Sequence, residues 1–378
     1  MRFRDLRAQY DHLKERIDAN ILKVLNDTAF IGGRQVQELE EALAKYVGVK
    51  HCISCANGTD ALQLVLMAWG VGEGDAVFVP DFTFFATAGC ASIVGATPVF
   101  VDVDPKTFNI DVEDLEKKIA ETITLGVLTP KVIIPVDLFG LPADYPSIER
   151  IANKYDLKVL EDGAQGFGGN INGQIACSFG DAATTSFFPA KPLGCYGDGG
   201  AIFTNDSQLA VTLESLKAQG RSPEDKYDNR AIGMNSRLDT LQAAILLVKF
   251  EEFVEKELES SNRIASKYTS CLHDIVNTPH IPVGYYSSWA QYTIILPDEV
   301  TRDGLKEHLK SKGIPSMIYY PRGMHQQSAY EEMKVPDSNL SVTSRLTKCV
   351  LSLPMHPYLT SDDIEKVCFA VRQYVQGV

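Results

Sequence analysis

The chain is short of positive charge: 36 lysines and arginines stand against 49 aspartates and glutamates, a net charge of −13. A nucleic-acid partner would require a basic face, so that class of function is excluded, and an anionic ligand must be met by a few placed cations. Long apolar runs are also missing. No stretch approaches the roughly 20 residues needed to cross a bilayer, and the start, MRFRDLRAQYDHLKERID, lacks the apolar core of a signal peptide, so a cytoplasmic protein without membrane contact is expected. The eight cysteines, at 52, 55, 90, 177, 195, 271, 349 and 368, are scattered, and Cys52-Ile-Ser-Cys55 has no second CxxC or paired histidines. Free thiols and no metal site follow. Neither HExxH nor GxxxxGK[ST] occurs, which removes zinc-hydrolase and P-loop chemistry.

What is present is ample core material, 45% hydrophobic over 378 residues, enough for one large and one smaller domain. Helical patterns at 10–26, 35–47, 59–69, 111–120 and 144–155 alternate with short apolar runs at 76–79, 98–103, 131–136 and 158–161. That alternation predicts an α/β fold with a largely parallel sheet covered on both faces. Further strands are expected at 182–188 and 200–204, then a long helix over about 237–259. A strand at 289–296 and helices at 301–312 and 361–376 make up a smaller α/β unit, so the domains are drawn as 1–248 and 249–378.

Three segments carry chemistry. Ser186 to Gly200, SFFPAKPLGCYGDGG, sets Lys191 among small residues beside Phe187, Phe188 and Pro189. A lysine becomes a nucleophile toward an aldehyde when burial or a neighbouring cation lowers its pKa, and Pro192 keeps Lys191 out of helical geometry. Upstream, Lys158 to Asp162 reads KVLED, a strand ending in two carboxylates, and the carboxyl end of a strand is where open α/β sheets bind ligands. An acid there also suits a helix cap. Asn57-Gly58-Thr59-Asp60 follows the strand-like HCISC and opens an apolar helix. Such an N-terminus can cradle a phosphate, or Thr59 or Asp60 can simply cap it.

Asn57-Gly-Thr-Asp-Ala, Glu161-Asp-Gly-Ala-Gln165, Ser186-Phe-Phe-Pro-Ala-Lys191, Gly197-Asp-Gly-Gly-Ala and Asn235-Ser-Arg-Leu-Asp239 with Gln242-Ala-Ala, in that order, resemble the DegT/DnrJ/StrS sugar aminotransferases, over about residues 1 to 360. That resemblance implies fold type I, with a mostly parallel seven-stranded sheet in the large domain, and pyridoxal 5′-phosphate (PLP) as cofactor. It implies that Lys191 holds PLP as a Schiff base, Asp162 pairs with the ring nitrogen, Gln165 lies near the phenolic oxygen and Phe84 stacks on the ring. Gly58, Thr59 and Ser186 match phosphate contacts, and Asn235 matches a contact supplied by a neighbouring subunit, which makes a homodimer part of the site. Gly163 departs from a common Asp-Ala-Ala-Gln pattern, and Tyr319 stands where members commonly have histidine.

The runs 186–206 and 235–247 are especially similar to the UDP-2-acetamido-2-deoxy-3-oxo-glucuronate aminotransferases. A UDP-linked 3-oxo sugar or uronic acid, with L-glutamate as donor and 2-oxoglutarate as product, is the expected chemistry, in surface polysaccharide biosynthesis. Arg237 is the candidate for a substrate carboxylate, since its planar fork suits one, or else it pairs internally with Asp239 or Glu40. Lys226, Arg230 and Arg322 are further available cations, and Tyr320 and His325 are candidate substrate contacts. A PLP-fold sugar dehydratase and a non-enzymatic PLP-binding regulator are the rival functions. Dehydratases of this type have histidine at the lysine position, and no DNA-binding appendage is apparent.

Overall fold

The computed structural model describes residues 1–222, 224–225 and 227–377. Helices α1 (Leu6–Asp27) and α2 (Arg34–Val47) lead into β1 (His51–Cys55). Helix and strand then alternate: α3 (Gly58–Ala68), β2 (Asp75–Pro80), α4 (Phe85–Ile93), β3 (Thr97–Val101), α5 (Val112–Leu125), β4 (Thr129–Ile133), α6 (Tyr145–Tyr155) and β5 (Lys158–Asp162). Two-residue strands β6 (Asn170–Ile171) and β7 (Gln174–Ile175) precede β8 (Ala182–Ser186), β9 (Gly200–Thr204) and α7 (Ser207–Leu216). A π-helical turn, Phe253–Glu257, joins α8 (Thr240–Glu252) to α9 (Leu258–Leu272). The rest comprises β10 (Tyr285–Tyr286), β11 (Tyr292–Ile295), α10 (Glu299–Ser311), α11 (Ser341–Cys349), β12 (Val350–Leu353) and α12 (Ser361–Gln376).

The main sheet has seven strands in the order β1-β9-β8-β5-β4-β2-β3. Its pairs from β8 to β3 are parallel, and only β9 runs against its neighbours. Strands such as β2 and β9 bury residues on both faces, as a sheet covered by helices on either side requires. A second buried cluster packs β11 and β12 against α9, α10 and α12, from Ile264 to Val371.

Several boundaries differ from those the sequence predicts, each for a local reason. The helix expected from 237 starts at Thr240, because Asp239 is extended and bridges to Ile31. The strand expected from 289 starts at Tyr292, because Trp289 sits in the left-handed region at φ 54°. Helix α4, FATAGCASI, is apolar nearly all round and shows no polar face to betray it.

This topology positions the site. Strands β1, β2, β5 and β8 point the same way, so their carboxyl ends meet along one edge of the sheet. That edge is where an open α/β sheet offers a crevice.

Candidate active site

At the β1 end, Asn57 is extended and caps α3, its Oδ1 accepting the Asp60 N–H at 2.8 Å. Asn57 therefore takes the capping place expected of Thr59 or Asp60. The cap leaves the N–H groups of Gly58 and Thr59 without a protein acceptor among the described residues. Gly58 lies directly against Ser186 at the end of β8: a Cβ built on it would stand 2.7 Å from the Ser186 Cβ. The helix start and the strand end thus form one cradle, open to an anion.

On β5, Glu161 and Asp162 point to opposite faces of the sheet, as successive strand residues must. Glu161 turns into the interior, where its carboxylate accepts the N–H groups of Cys177 and, at 2.8 Å, Phe179. Asp162 turns to the crevice. Its Oδ2 accepts from the Thr87 hydroxyl at 2.8 Å and its Oδ1 from the Ala164 N–H at 3.2 Å. Burial raises its pKa, opposed by Thr87, by the charge of Lys191 and by the Ala164 N–H. Thr87 was not foreseen in the sequence; its signal was the spacing Thr83, Thr87, whose hydroxyls lie 3.2 Å apart one turn from each other.

Lys191 lies in the turn after β8, its N–H donating to Phe188 O at 2.9 Å. Phe187 is buried in the core while Phe188 faces the crevice. The Lys191 ammonium makes no hydrogen bond or ion pair to a described residue. Its pKa is lowered by burial, with Asp162 opposing and the Arg4 cation adding to the fall. Arg4 comes from 187 positions upstream, and no local pattern announces it.

These groups surround a cavity of about 460 Å³. Gly58, Thr59, Phe84, Asp162, Gln165, Ser186, Lys191 and Tyr320 all line it. Phe84 precedes α4 and is 55% exposed, its ring 6.4 Å from that of Tyr320. Gln165 is fixed at both ends, its Oε1 accepting the Phe139 N–H at 2.8 Å and its Nε2 donating to the Tyr320 hydroxyl at 3.0 Å. Tyr319 and Gln291 also line the cavity, and the Oε1 of Gln291 is a buried acceptor with no partner among the described residues.

Three residues singled out in the sequence are not in this wall. Asn235 and Arg237 are exposed on the segment before α8, outside the cavity lining of the single chain. Neither internal pairing considered for Arg237 forms: Glu40 instead accepts the Ser54 N–H at 2.8 Å and hydroxyl at 2.6 Å, with Lys217 3.7 Å away. His325, expected as a substrate contact, is buried outside the cavity wall. Both its ring nitrogens are occupied, Nδ1 by Asp81 at 2.6 Å and Nε2 by Asp337 at 2.8 Å. Of the further cations, Arg230 is engaged by Glu224 and Asp228, Arg322 is exposed, and Lys226 lies outside the described residues.

The donor set fits PLP. A dianion suits the Gly58–Thr59 helix start closed by Ser186, a protonated ring nitrogen suits a buried carboxylate without a cation in contact, and an aldehyde suits a lysine held toward its neutral form.

The profile of the DegT/DnrJ/EryC1/StrS aminotransferase family matches residues 11–372. The UDP-2-acetamido-2-deoxy-3-oxo-D-glucuronate aminotransferase of Pseudomonas aeruginosa is 45% identical over 372 residues, 98% of this chain and 99% of that one. The UDP-N-acetyl-3-dehydro-alpha-D-glucosamine 3-aminotransferase of Acidithiobacillus ferrooxidans is 41% identical over 376 residues, covering 99% and 97%. Among solved structures, a DegT/DnrJ/EryC1/StrS aminotransferase from Brucella abortus superposes with a TM-score of 0.96 at 50% identity, covering 99% of each chain. NtdA of Bacillus subtilis, solved with bound PMP, the aminated form of the cofactor, gives 0.86 at 28% identity over 96% of this chain and 82% of its own.

Proposed function

The chain belongs to the DegT/DnrJ/EryC1/StrS aminotransferase family and is a PLP-dependent aminotransferase, and from that premise we propose that it moves the amino group of L-glutamate to carbon 3 of a UDP-linked 3-oxo sugar. The observation that carries the reading is Lys191 and Asp162 facing one cavity beside the Gly58–Thr59 helix start and Ser186. End-to-end identity with two relatives named for UDP-linked 3-oxo sugars supports the substrate class. The uronic acid is the favoured member of that class, and surface polysaccharide its destination.

When bound, the cofactor supplies an electron sink that lets the amino group pass between two carbon skeletons. The protein's part is to hold and to move protons. Gly58, Thr59 and Ser186 would hold the phosphate, Asp162 the ring nitrogen in its protonated state, Gln165 the phenolic oxygen and Phe84 one face of the ring. Thr87 keeps the Asp162 carboxylate aimed, and the Gln165 bond fixes the Tyr320 hydroxyl over the cavity. Lys191, partly buried and pushed toward neutrality, serves as general base and then acid at the substrate carbon. Glutamate and the sugar use the same cavity in turn, so one lysine serves both halves.

Asn235 and Arg237 enter this reading from a second copy of the chain, in a cytoplasmic homodimer where Asn235 would complete the phosphate site and Arg237 would meet the sugar carboxylate. The division at 248/249 is part of the same proposal; it falls inside α8, so the smaller unit would be entered through a helix.

A screen of nucleotide-linked aminosugars, run in reverse against 2-oxoglutarate, tests the substrate. Turnover of 3-amino UDP sugars, best with the uronate, is expected; preference for a 4-amino sugar would refute it.

A further inference from the structure

The first five residues are tied down at three points. The carbonyl of Phe3 accepts the Met355 N–H at 3.1 Å, and its ring packs edge-on to Tyr319 with centroids 6.1 Å apart. Asp5 caps α1, accepting the Ala8 N–H at 3.0 Å. Between these anchors, Nη2 of Arg4 lies 2.7 Å from the carbonyl oxygen of Lys191 and 3.3 Å from that of Pro192. The segment therefore straps together the turn bearing Lys191, the smaller unit at Met355 and a residue of the cavity wall, Tyr319.

Such a strap answers a need of the turn. Pro192 has no N–H, and glycines follow at 194 and 197, so this loop has few backbone bonds of its own with which to fix the lysine. A guanidinium bridging two successive carbonyls supplies that restraint with charge-assisted hydrogen bonds.

We propose that Arg4 is a positioning residue for Lys191: by bridging the Lys191 and Pro192 carbonyls it clamps the turn to the amino-terminal strap and keeps the lysine side chain aimed into the cavity. The inference rests on the reading of Lys191 as the cofactor-bearing lysine. The charges around the clamp are compatible with it. Glu257, from the π-helical turn, faces Arg4 and partly balances it, while Lys249 on α8 and His356, in the loop before α12, are neighbouring bases that Arg4 helps to hold toward neutrality. Lys191 itself faces Asp162, which favours its ammonium, and Arg4, which opposes it. Removing the Arg4 charge must therefore raise the pH at which Lys191 becomes a free amine.

Borohydride reduction of the holoenzyme with peptide mapping comes first, and a pyridoxyl group on another lysine would sink the premise rather than the inference. Arg4→Met, Arg4→Gln and Arg4→Lys are then compared by two measurements. In the apoprotein, the pH dependence of Lys191 labelling by trinitrobenzenesulfonate titrates the lysine; in the holoenzyme, the single-turnover reaction with glutamate reads its aim. Arg4→Met is expected to raise the labelling midpoint by about half to one pH unit. It should slow the single turnover about tenfold or more, with little change in the glutamate concentration needed for half-maximal rate. Arg4→Gln, which keeps a donor without the charge, should match its midpoint but retain more of the rate, and Arg4→Lys should restore most of the midpoint. If Arg4→Met does not fold, the other two carry the comparison. An unchanged single-turnover rate overturns the proposal, and so does a slower rate with an unmoved midpoint, which would mark Arg4 as structural only.

Discussion

Gly58→Ala isolates the anion cradle from the rest of the site. Gly58 opens α3 without a positive φ, so alanine is allowed by the backbone and would gain up to about 1 kcal/mol of helix propensity. Against that, the new Cβ would stand 2.7 Å from the Ser186 Cβ and 3.3 Å from both the Ser186 Cα and Oγ. Carbon atoms rest at about 3.5–4.0 Å, so α3 or the end of β8 must give way by roughly 1 Å. Overpacking of this kind costs about 1–3 kcal/mol, leaving a net loss of about 1–2 kcal/mol. Ser186→Gly removes the nearest atoms, and by itself costs about 0.5–1 kcal/mol as a strand glycine. In the double variant the clash is relieved, so the two effects should fall short of additivity by about 1 kcal/mol. Urea unfolding of the four apoproteins measures the cycle, and absorbance titration with PLP measures the cradle. Cofactor affinity should drop in all three variants. Gly58→Ala as stable as the parent, or strictly additive with Ser186→Gly, would refute the close approach.

Three further outcomes follow from particular groups. Asp137 and Glu161 are buried together, burial pushing the first up to about 7 and the second well above its ordinary range, so the folded state holds protons that the unfolded chain releases near pH 4. Stability of the apoprotein should therefore fall as pH rises from about 4 through 7, and Glu161→Gln should flatten that fall; an equal slope in both would contradict it. Arg237→Lys should lose about 1–3 kcal/mol in the sugar half-reaction and far less with glutamate, read by stopped flow; equal damage to both halves would remove Arg237 from sugar recognition. Mixing Lys191→Ala with Asn235→Ala protomers should restore part of the activity if sites cross subunits, whereas no recovery despite proven exchange would place each site within one chain.

Much of the layered core was legible because it depends on local pattern. The runs at 76–79, 158–161 and 200–204 have apolar centres and become β2, β5 and β9, while the pattern at 361–376 becomes α12, opened by a Thr360–Asp363 capping box. Helix α4 was not legible, since a helix apolar nearly all round shows no period, and with it Thr87 was missed. Nor could KVLED alone say which of its two carboxylates faces the crevice. The parity of β5 within the sheet decides that, sending Asp162 to Thr87 and Glu161 to the interior.

By itself, the sequence determined the alternation of helix and strand and singled out Lys191, Asp162 and Gly58 as candidates, because each depends on residue type and near neighbours. The tertiary structure decided which groups meet. It set Gly58 against Ser186, closed both ring nitrogens of His325 with Asp81 and Asp337, and left Asn235 and Arg237 on the surface of the single chain. It also brought Arg4 to the carbonyl of Lys191 across 187 positions. A contact of that separation leaves no periodicity or spacing in the sequence; it exists only once sheet order and helix packing have folded the amino-terminal segment onto the turn after β8.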